Sequence, residues 1–301
     1  MSSNAKARSQ KRKLAVVRLG MRALSAVAPP LAARVAMKLF RTPRRHVPWD
    51  GEREIMGKAR SVRIDVRGRP VAAWRWGSGD SVLLVHGWGS AGGRLGSFVE
   101  PLIAAGFSVV TFDAPGHGAT EGPRQSSLPE FMFTIEAAAS EFGPFAGVVA
   151  HSLGGAATTL AISRGVPAGR VVLVAPSSNP AGYTRQFADI VGTPAGIRER
   201  MEGLVERYFG IPWSEFDVLA AARRIAVPGL VFHDRSDAEV SWSEGAALAE
   251  AWPGAELVTT NGLGHTRIVH DAGVVAGAVR FLESGREAAP LPSAAGTSYP
   301  I

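Results

Sequence analysis

Beyond Trp49 the chain alternates short, almost wholly apolar runs with Ala-rich stretches of helical period. Apolar runs of this length, bounded by Gly, Pro and Asp, are expected of strands buried on both faces, as in a mostly parallel sheet covered by helices. Strands are expected at 61–67, 70–76, 81–86, 107–112, 147–151, 170–175, 228–233 and 255–260. The first two flank Arg67-Gly68-Arg69 and predict an antiparallel hairpin. Helices are expected near 92–105, 128–142, 153–164, 243–252 and 266–283. The alternation fails between Pro176 and Arg223, where polar and aromatic sequence (Tyr183, Phe187, Tyr208, Phe209, Trp213, Phe216) predicts a helical insertion at about 177–222. Residues 286–301 are rich in Ala, Pro, Ser and Gly without periodicity and are expected to form a disordered tail.

The N-terminal stretch reads differently. From Leu14 to Phe40, Arg18/Arg22 and Arg34/Lys38 recur at i,i+4 spacing in apolar sequence, with Pro29-Pro30 between the halves. Two short basic amphipathic helices follow from that pattern. The domain organisation expected is therefore a basic helical extension over 1–48, an α/β domain over 49–285 carrying the insertion, and the tail. The cations deny the extension a transmembrane span or the apolar centre of a secretory signal, although an Arg-rich, acid-poor composition also suits a transit peptide.

Charge sharpens this division. Twelve of the 33 Lys and Arg lie in residues 1–45, where there is no carboxylate, so the rest of the chain is net negative despite an overall +7. Nucleic acid is thus not the expected partner of the α/β domain. A cytoplasmic protein is expected, its basic extension over residues 1–45 packing on the catalytic domain or, as the alternative, touching an anionic membrane surface. Absence of cysteine excludes disulfides, thiolate metal sites and a cysteine nucleophile.

Candidate chemistry sits at strand ends. Gly147-Val148-Val149-Ala150 runs into His151-Ser152-Leu153-Gly154-Gly155, a serine at a sharp strand-to-helix turn among small residues. A serine nucleophile needs a base and a group to orient that base. Downstream, Gly229-Leu230-Val231-Phe232 leads to Asp234 and Asp237, and Glu256-Leu257-Val258-Thr259-Thr260 leads to His265. All three types follow strands, so one sheet edge would collect them. Upstream, Val82-Leu83-Leu84-Val85 leads to His86-Gly87-Trp88-Gly89, and Asp113-Ala114-Pro115-Gly116-His117-Gly118-Ala119-Thr120 forms a second turn.

With these motifs in this order, about residues 60–284 resemble the α/β-hydrolase superfamily. The resemblance implies an α/β fold with a mostly parallel eight-stranded sheet flanked by helices and a small helical cap. It implies Ser152 as nucleophile, Asp237 and His265 completing the triad, and backbone N–H groups of Trp88 and Leu153 as the oxyanion hole. The activity implied is hydrolysis of an ester-like bond, carboxylester or thioester, of a small or acyl-chain substrate through an acyl-enzyme, with no cofactor. Three positions depart from the family pattern: Ala150 replaces the first glycine of G-x-S-x-G, Thr120 replaces the serine of D-x-x-G-x-G-x-S, and Asp234 replaces a glycine and competes with Asp237, with Glu239 a third carboxylate.

Other readings coexist. Of seven histidines, His86 and His117 are expected to bond their own loops, His151 to face away from the nucleophile, and His270 to be the rival base. No pair has zinc-ligand spacing, and no metal is expected. Gly87-Trp88-Gly89-Ser90-Ala91-Gly92 satisfies G-x-G-x-x-G with Asp113 after the next strand, which would suit a nicotinamide-dependent oxidoreductase. A hydrolase-like fold kept as a non-catalytic binding module is the remaining alternative.

Overall fold

The computed structural model describes residues 3–285; the expected tail at 286–301 lies outside them. In chain order the helices are α1 (Ser3–Val27), α2 (Pro29–Phe40), α3 (Asp50–Gly57), α4 (Val99–Ala104), α5 (Leu128–Phe142) and α6 (Leu153–Ser163). They continue with α7 (Pro180–Val191), α8 (Ala195–Phe209), α9 (Val218–Ala222), α10 (Trp242–Ala251), α11 (Gly264–Arg267) and α12 (Ala272–Glu283). The chain forms two compact units, 3–42 with Asn179–Asp217, and Pro43–Ser178 with 218–285.

The larger unit is built on eight strands: β1 (Arg60–Val66), β2 (Arg69–Trp76), β3 (Ser81–Val85), β4 (Ser108–Phe112), β5 (Phe145–His151), β6 (Ala168–Val174), β7 (Gly229–Asp234) and β8 (Ala255–Thr260). They lie in the order β1-β2-β4-β3-β5-β6-β7-β8. β2 runs antiparallel to β1 and β4; every other pairing is parallel. The sheet is therefore the mostly parallel α/β sheet that the apolar runs imply. β3 and β4 are buried along their whole length, which explains why they read as continuous rather than alternating apolar sequence. Side chains at every second position, Val82 and Leu84, Val172 and Val174, Leu230 and Phe232, pack against Phe98, Leu102 and the α12 residues Val275 and Val279. Each such aliphatic or aromatic side chain contributes roughly 1.5–3 kcal/mol on burial, and these residues stabilise the middle of the sheet, whose strand ends carry the candidate chemistry.

Helix boundaries differ from expectation where side-chain chemistry intervenes. The helix expected at 92–105 is a 3-10 segment over Gly92–Phe98 followed by the short α4. Gly92, Gly93 and Gly96 weaken α-helical propensity there, and a Cβ on Gly92 would lie 2.7 Å from Thr111 Oγ1. The helix expected at 266–283 is broken at Asp271, whose carboxylate accepts the Val274 N–H (3.0 Å) and caps α12. Helix α3 is an additional element that the sequence pattern does not predict.

In the smaller unit, α1 and α2 pack with α7 and α8. The N-terminal helices and the insertion, separate in sequence, thus form one helical body. Its aromatic residues pack within it: Phe187 stands edge-on to Phe40 (5.2 Å), Trp213 to Phe216 (5.6 Å), and the Arg41 guanidinium lies 5.3 Å from the Tyr208 ring. Among the described residues no helix is long and apolar enough to cross a membrane.

Candidate active site

Strand β5 ends at His151, and Ser152 turns the chain into α6 with φ 55° and ψ −123°. A non-glycine residue at positive φ costs about 1–3 kcal/mol and persists only when its surroundings hold it. Three backbone bonds do so: the Ser152 N–H donates to Val174 O (3.1 Å), and Ser152 O accepts from Gly155 N (2.9 Å) and Ser177 N (3.2 Å). Close approach supplies the rest. A Cβ on Gly154 would stand 2.5 Å from His86 O, and one on Gly87 would stand 2.8 Å from Ser152 Cβ. The glycine requirement therefore falls on 87 and 154. Ala150 sits in regular ladder register with Val85 and Leu173, where a methyl group fits.

The loops after β7 and β8 bring the other two groups to Ser152. His265 Nε2 lies 3.0 Å from Ser152 Oγ, and His265 Nδ1 lies 2.7 Å from Asp237 Oδ2. An ionised carboxylate only accepts, so Nδ1 carries the proton and Nε2 presents its lone pair to the serine hydroxyl. Asp237 Oδ1 accepts from Glu239 N (2.8 Å) and Val240 N (3.0 Å). Burial alone would raise the pKa of Asp237, but hydrogen bonds from His233, His265 and Val240 N hold it below the usual carboxylate range. Asp237 is thus a buried anion held against the His265 ring.

Asp234 has a different place. Its Oδ1 accepts from Ser236 N (2.9 Å) and Ser236 Oγ (2.5 Å), and its Oδ2 from Thr260 Oγ1 (2.7 Å) and Leu263 N (3.0 Å). Those bonds tie the loop carrying Asp237 to the loop carrying His265. They also hold Asp234 ionised against the upward pull of burial. Glu239 is exposed, with only its backbone N–H engaging Asp237. His270 pairs with Ser97 Oγ (2.7 Å) and stands edge-on to Trp49, taking no part in the contacts among Ser152, His265 and Asp237.

The H-G-x-G and D-x-x-G-x-G turns are cross-linked by their histidines. The Ala114 N–H donates to His86 Nε2 (3.0 Å), and the Gly89 N–H donates to His117 Nε2 (3.0 Å). The opposite nitrogens donate to carbonyls, His86 Nδ1 to Gly87 O (2.7 Å) and His117 Nδ1 to Pro115 O (3.0 Å). Both rings must be neutral to accept. Burial agrees, lowering His86 to about 4 and His117 to about 3. With Gly89 N and Ser90 N occupied, the latter by Gly87 O, the turn is set around Trp88. Leu153 opens α6, where the first amides of a helix have no intrahelical acceptor.

Two further histidines take part that spacing did not single out. His151 does not simply face away: its Nε2–H donates to the His265 carbonyl (2.9 Å), and the two ring centroids are 4.7 Å apart. His233 Nε2 lies 3.1 Å from Val240 O and 3.4 Å from Asp237 Oδ2. Only its position at the end of β7 hinted at this, because nothing local in sequence distinguishes a strand-end histidine that touches the acid from one that does not.

The oxidoreductase reading loses its acidic residue. Asp113 is buried, and its two oxygens accept from Gly92 N (2.7 Å) and Ala119 N (2.7 Å), leaving the carboxylate to shape turns rather than to meet a ribose. A cavity of about 570 Å³ lined by Ile55, Lys58, Arg75, Trp76, Glu100 and Ile103 includes none of Ser152, Asp237, His265, Trp88 and Leu153.

The family model described as the alpha/beta hydrolase family matches residues 82–278, and the chain belongs to that family. Among solved structures it is similar to a monoacylglycerol lipase of Paleococcus ferrophilus (25% identity, 71% of this chain and 99% of that one, TM-score 0.56). It is also similar to an esterase of Pyrococcus furiosus (19%, 82% and 98%, TM-score 0.60) and a putative lipase of Acinetobacter baumannii (16%, 80% and 98%, TM-score 0.59). No curated protein matches the sequence. The protein is accordingly a hydrolase-family chain with the family's mostly parallel eight-stranded sheet.

Proposed function

We propose that the protein is a serine hydrolase that cleaves a carboxylester or thioester through an acyl-enzyme. The observation that carries this reading is the continuous chain from Ser152 Oγ to His265 Nε2 (3.0 Å) and from His265 Nδ1 to Asp237 (2.7 Å), with the serine held at positive φ. His265 takes the hydroxyl proton as Ser152 Oγ bonds to the carbonyl carbon, and Asp237 stabilises the imidazolium. The Trp88 and Leu153 amides receive the oxyanion, each worth roughly 2.7–4 kcal/mol to the transition state. His265 then gives its proton to the departing alcohol or thiol. Water, deprotonated by the same ring, attacks the acyl carbon, and the carboxylic acid leaves with Ser152 reprotonated.

Esterase and lipase neighbours support an ester-like bond. The aromatic residues of the insertion give no further preference, because Phe187 packs on Phe40 of α2 and Trp213 on Phe216. Labelling with a fluorophosphonate probe tests the reading, with p-nitrophenyl esters of graded chain length as substrates. Wild type is expected to label, and Ser152→Ala and His265→Ala to lose both labelling and turnover by about 10⁴-fold or more. A folded wild type that neither labels nor hydrolyses any ester would return the chain to the binding-module alternative.

A further inference from the structure

Exposed large apolar side chains recur along the first two helices. Of thirteen large hydrophobic residues that are exposed among the described ones, six lie between positions 16 and 39: Val16, Val17, Leu19, Val27, Leu31 and Leu39. On α1, Val16, Leu19, Ala23 and Val27 follow one another at steps of three and four and so form a single stripe. Val16, Leu19 and Val27 are 72%, 73% and 86% exposed. The opposite face is the packed one: Met21 and Ser25 are buried, and the Arg18 Nε–H donates to Ile190 O (2.8 Å). The stripe therefore has no partner within the helical unit.

Charge identifies what fits it. Residues 1–49 contain twelve cations and no carboxylate. Arg12 on α1 and Arg34 and Lys38 beside Leu31 on α2 are exposed with the apolar positions. Pairing of two copies across this face would set cations against cations. Nucleic acid would satisfy the cations and leave the stripe in water. A helix with an apolar stripe, flanking Lys and Arg and insufficient length of apolar sequence to span lies in the plane of an anionic interface.

We infer that α1 and α2 form a docking surface for anionic phospholipid, with Val16, Leu19 and Val27 entering the acyl boundary and the cations meeting the headgroups. The inference stands apart from the bond cleaved at Ser152. Cosedimentation of the full chain with phosphatidylcholine vesicles, with and without phosphatidylglycerol, tests it. Anionic vesicles are expected to bind at least about tenfold better than neutral ones, with loss in high salt. Val16→Asp/Leu19→Asp and, separately, Val27→Asp are expected to lower binding about tenfold or more while the thermal unfolding curve is unchanged, since these side chains are exposed.

Absence of vesicle binding by wild type would overturn the inference. So would vesicle binding that both Asp variants leave intact, because the stripe would then be idle. A wild-type dimer that the Asp variants convert to monomer, with no lipid binding, would assign the face to a second copy instead.

Discussion

Acid should unfold this protein earlier than its carboxylates alone would dictate, because three buried histidines are neutral in the fold. Burial lowers His86 to about 4 and His117 and His151 to about 3, whereas the unfolded chain protonates each near 6.5. The unfolded state therefore binds more protons between pH 6.5 and about 4. Stability is complete above that window and falls as pH falls through it. With nearly three protons of difference at pH 5, the slope is about 4 kcal/mol per pH unit, and the loss between pH 7 and 5 is about 6 kcal/mol. That approaches the whole stability of many domains. Replacing His117 by Gln keeps an acceptor for the Gly89 N–H and removes one titration. Urea unfolding at pH 7, 6 and 5 should then show the slope reduced by about one third relative to wild type. Parallel slopes for the two proteins would refute the assignment of His117 as a neutral, buried acceptor.

Two carboxylates and one glycine yield the remaining predictions. Asp237→Asn should lower kcat on the order of 10⁴-fold by presenting the wrong tautomer partner to His265, whereas Asp234→Asn should lower kcat/KM only about tenfold and cost roughly 1–3 kcal/mol in stability through lost loop bonds; ester kinetics and urea melts of both variants separate the roles. Gly154→Ala places a methyl 2.5 Å from His86 O and 2.7 Å from Val85 O, and should destabilise the fold by about 3 kcal/mol or more, read as a lower urea midpoint.

Much of the sheet is legible in sequence because parallel strands buried on both faces leave little room for polar residues. Each expected strand lies within two residues of an observed one at both ends. The convergence of Ser152, Asp237 and His265 is legible for a related reason: side chains just past the ends of parallel strands share one edge. What escapes is whatever depends on non-local contact. Nothing in the period of α1 and α2 says that they pack with α7 and α8. The bonds from His151 to the His265 carbonyl and from the Leu263 N–H to Asp234 join positions 114 and 29 residues apart. The break at Asp271 was locally encoded, as an Asp cap before an apolar helix, but competed with uninterrupted helical periodicity on either side.

The reciprocal bonds of His86 and His117 have a consequence for how this site can change. Each ring belongs to one turn and completes the other, so neither turn holds its shape independently. Substituting one histidine by a residue without an acceptor leaves an amide unpaired in the opposite loop, and a second substitution there removes less than it would have alone. The two motifs, 28 residues apart at each bond, therefore behave as one unit of variation: tolerated sequences are those in which both turns change together.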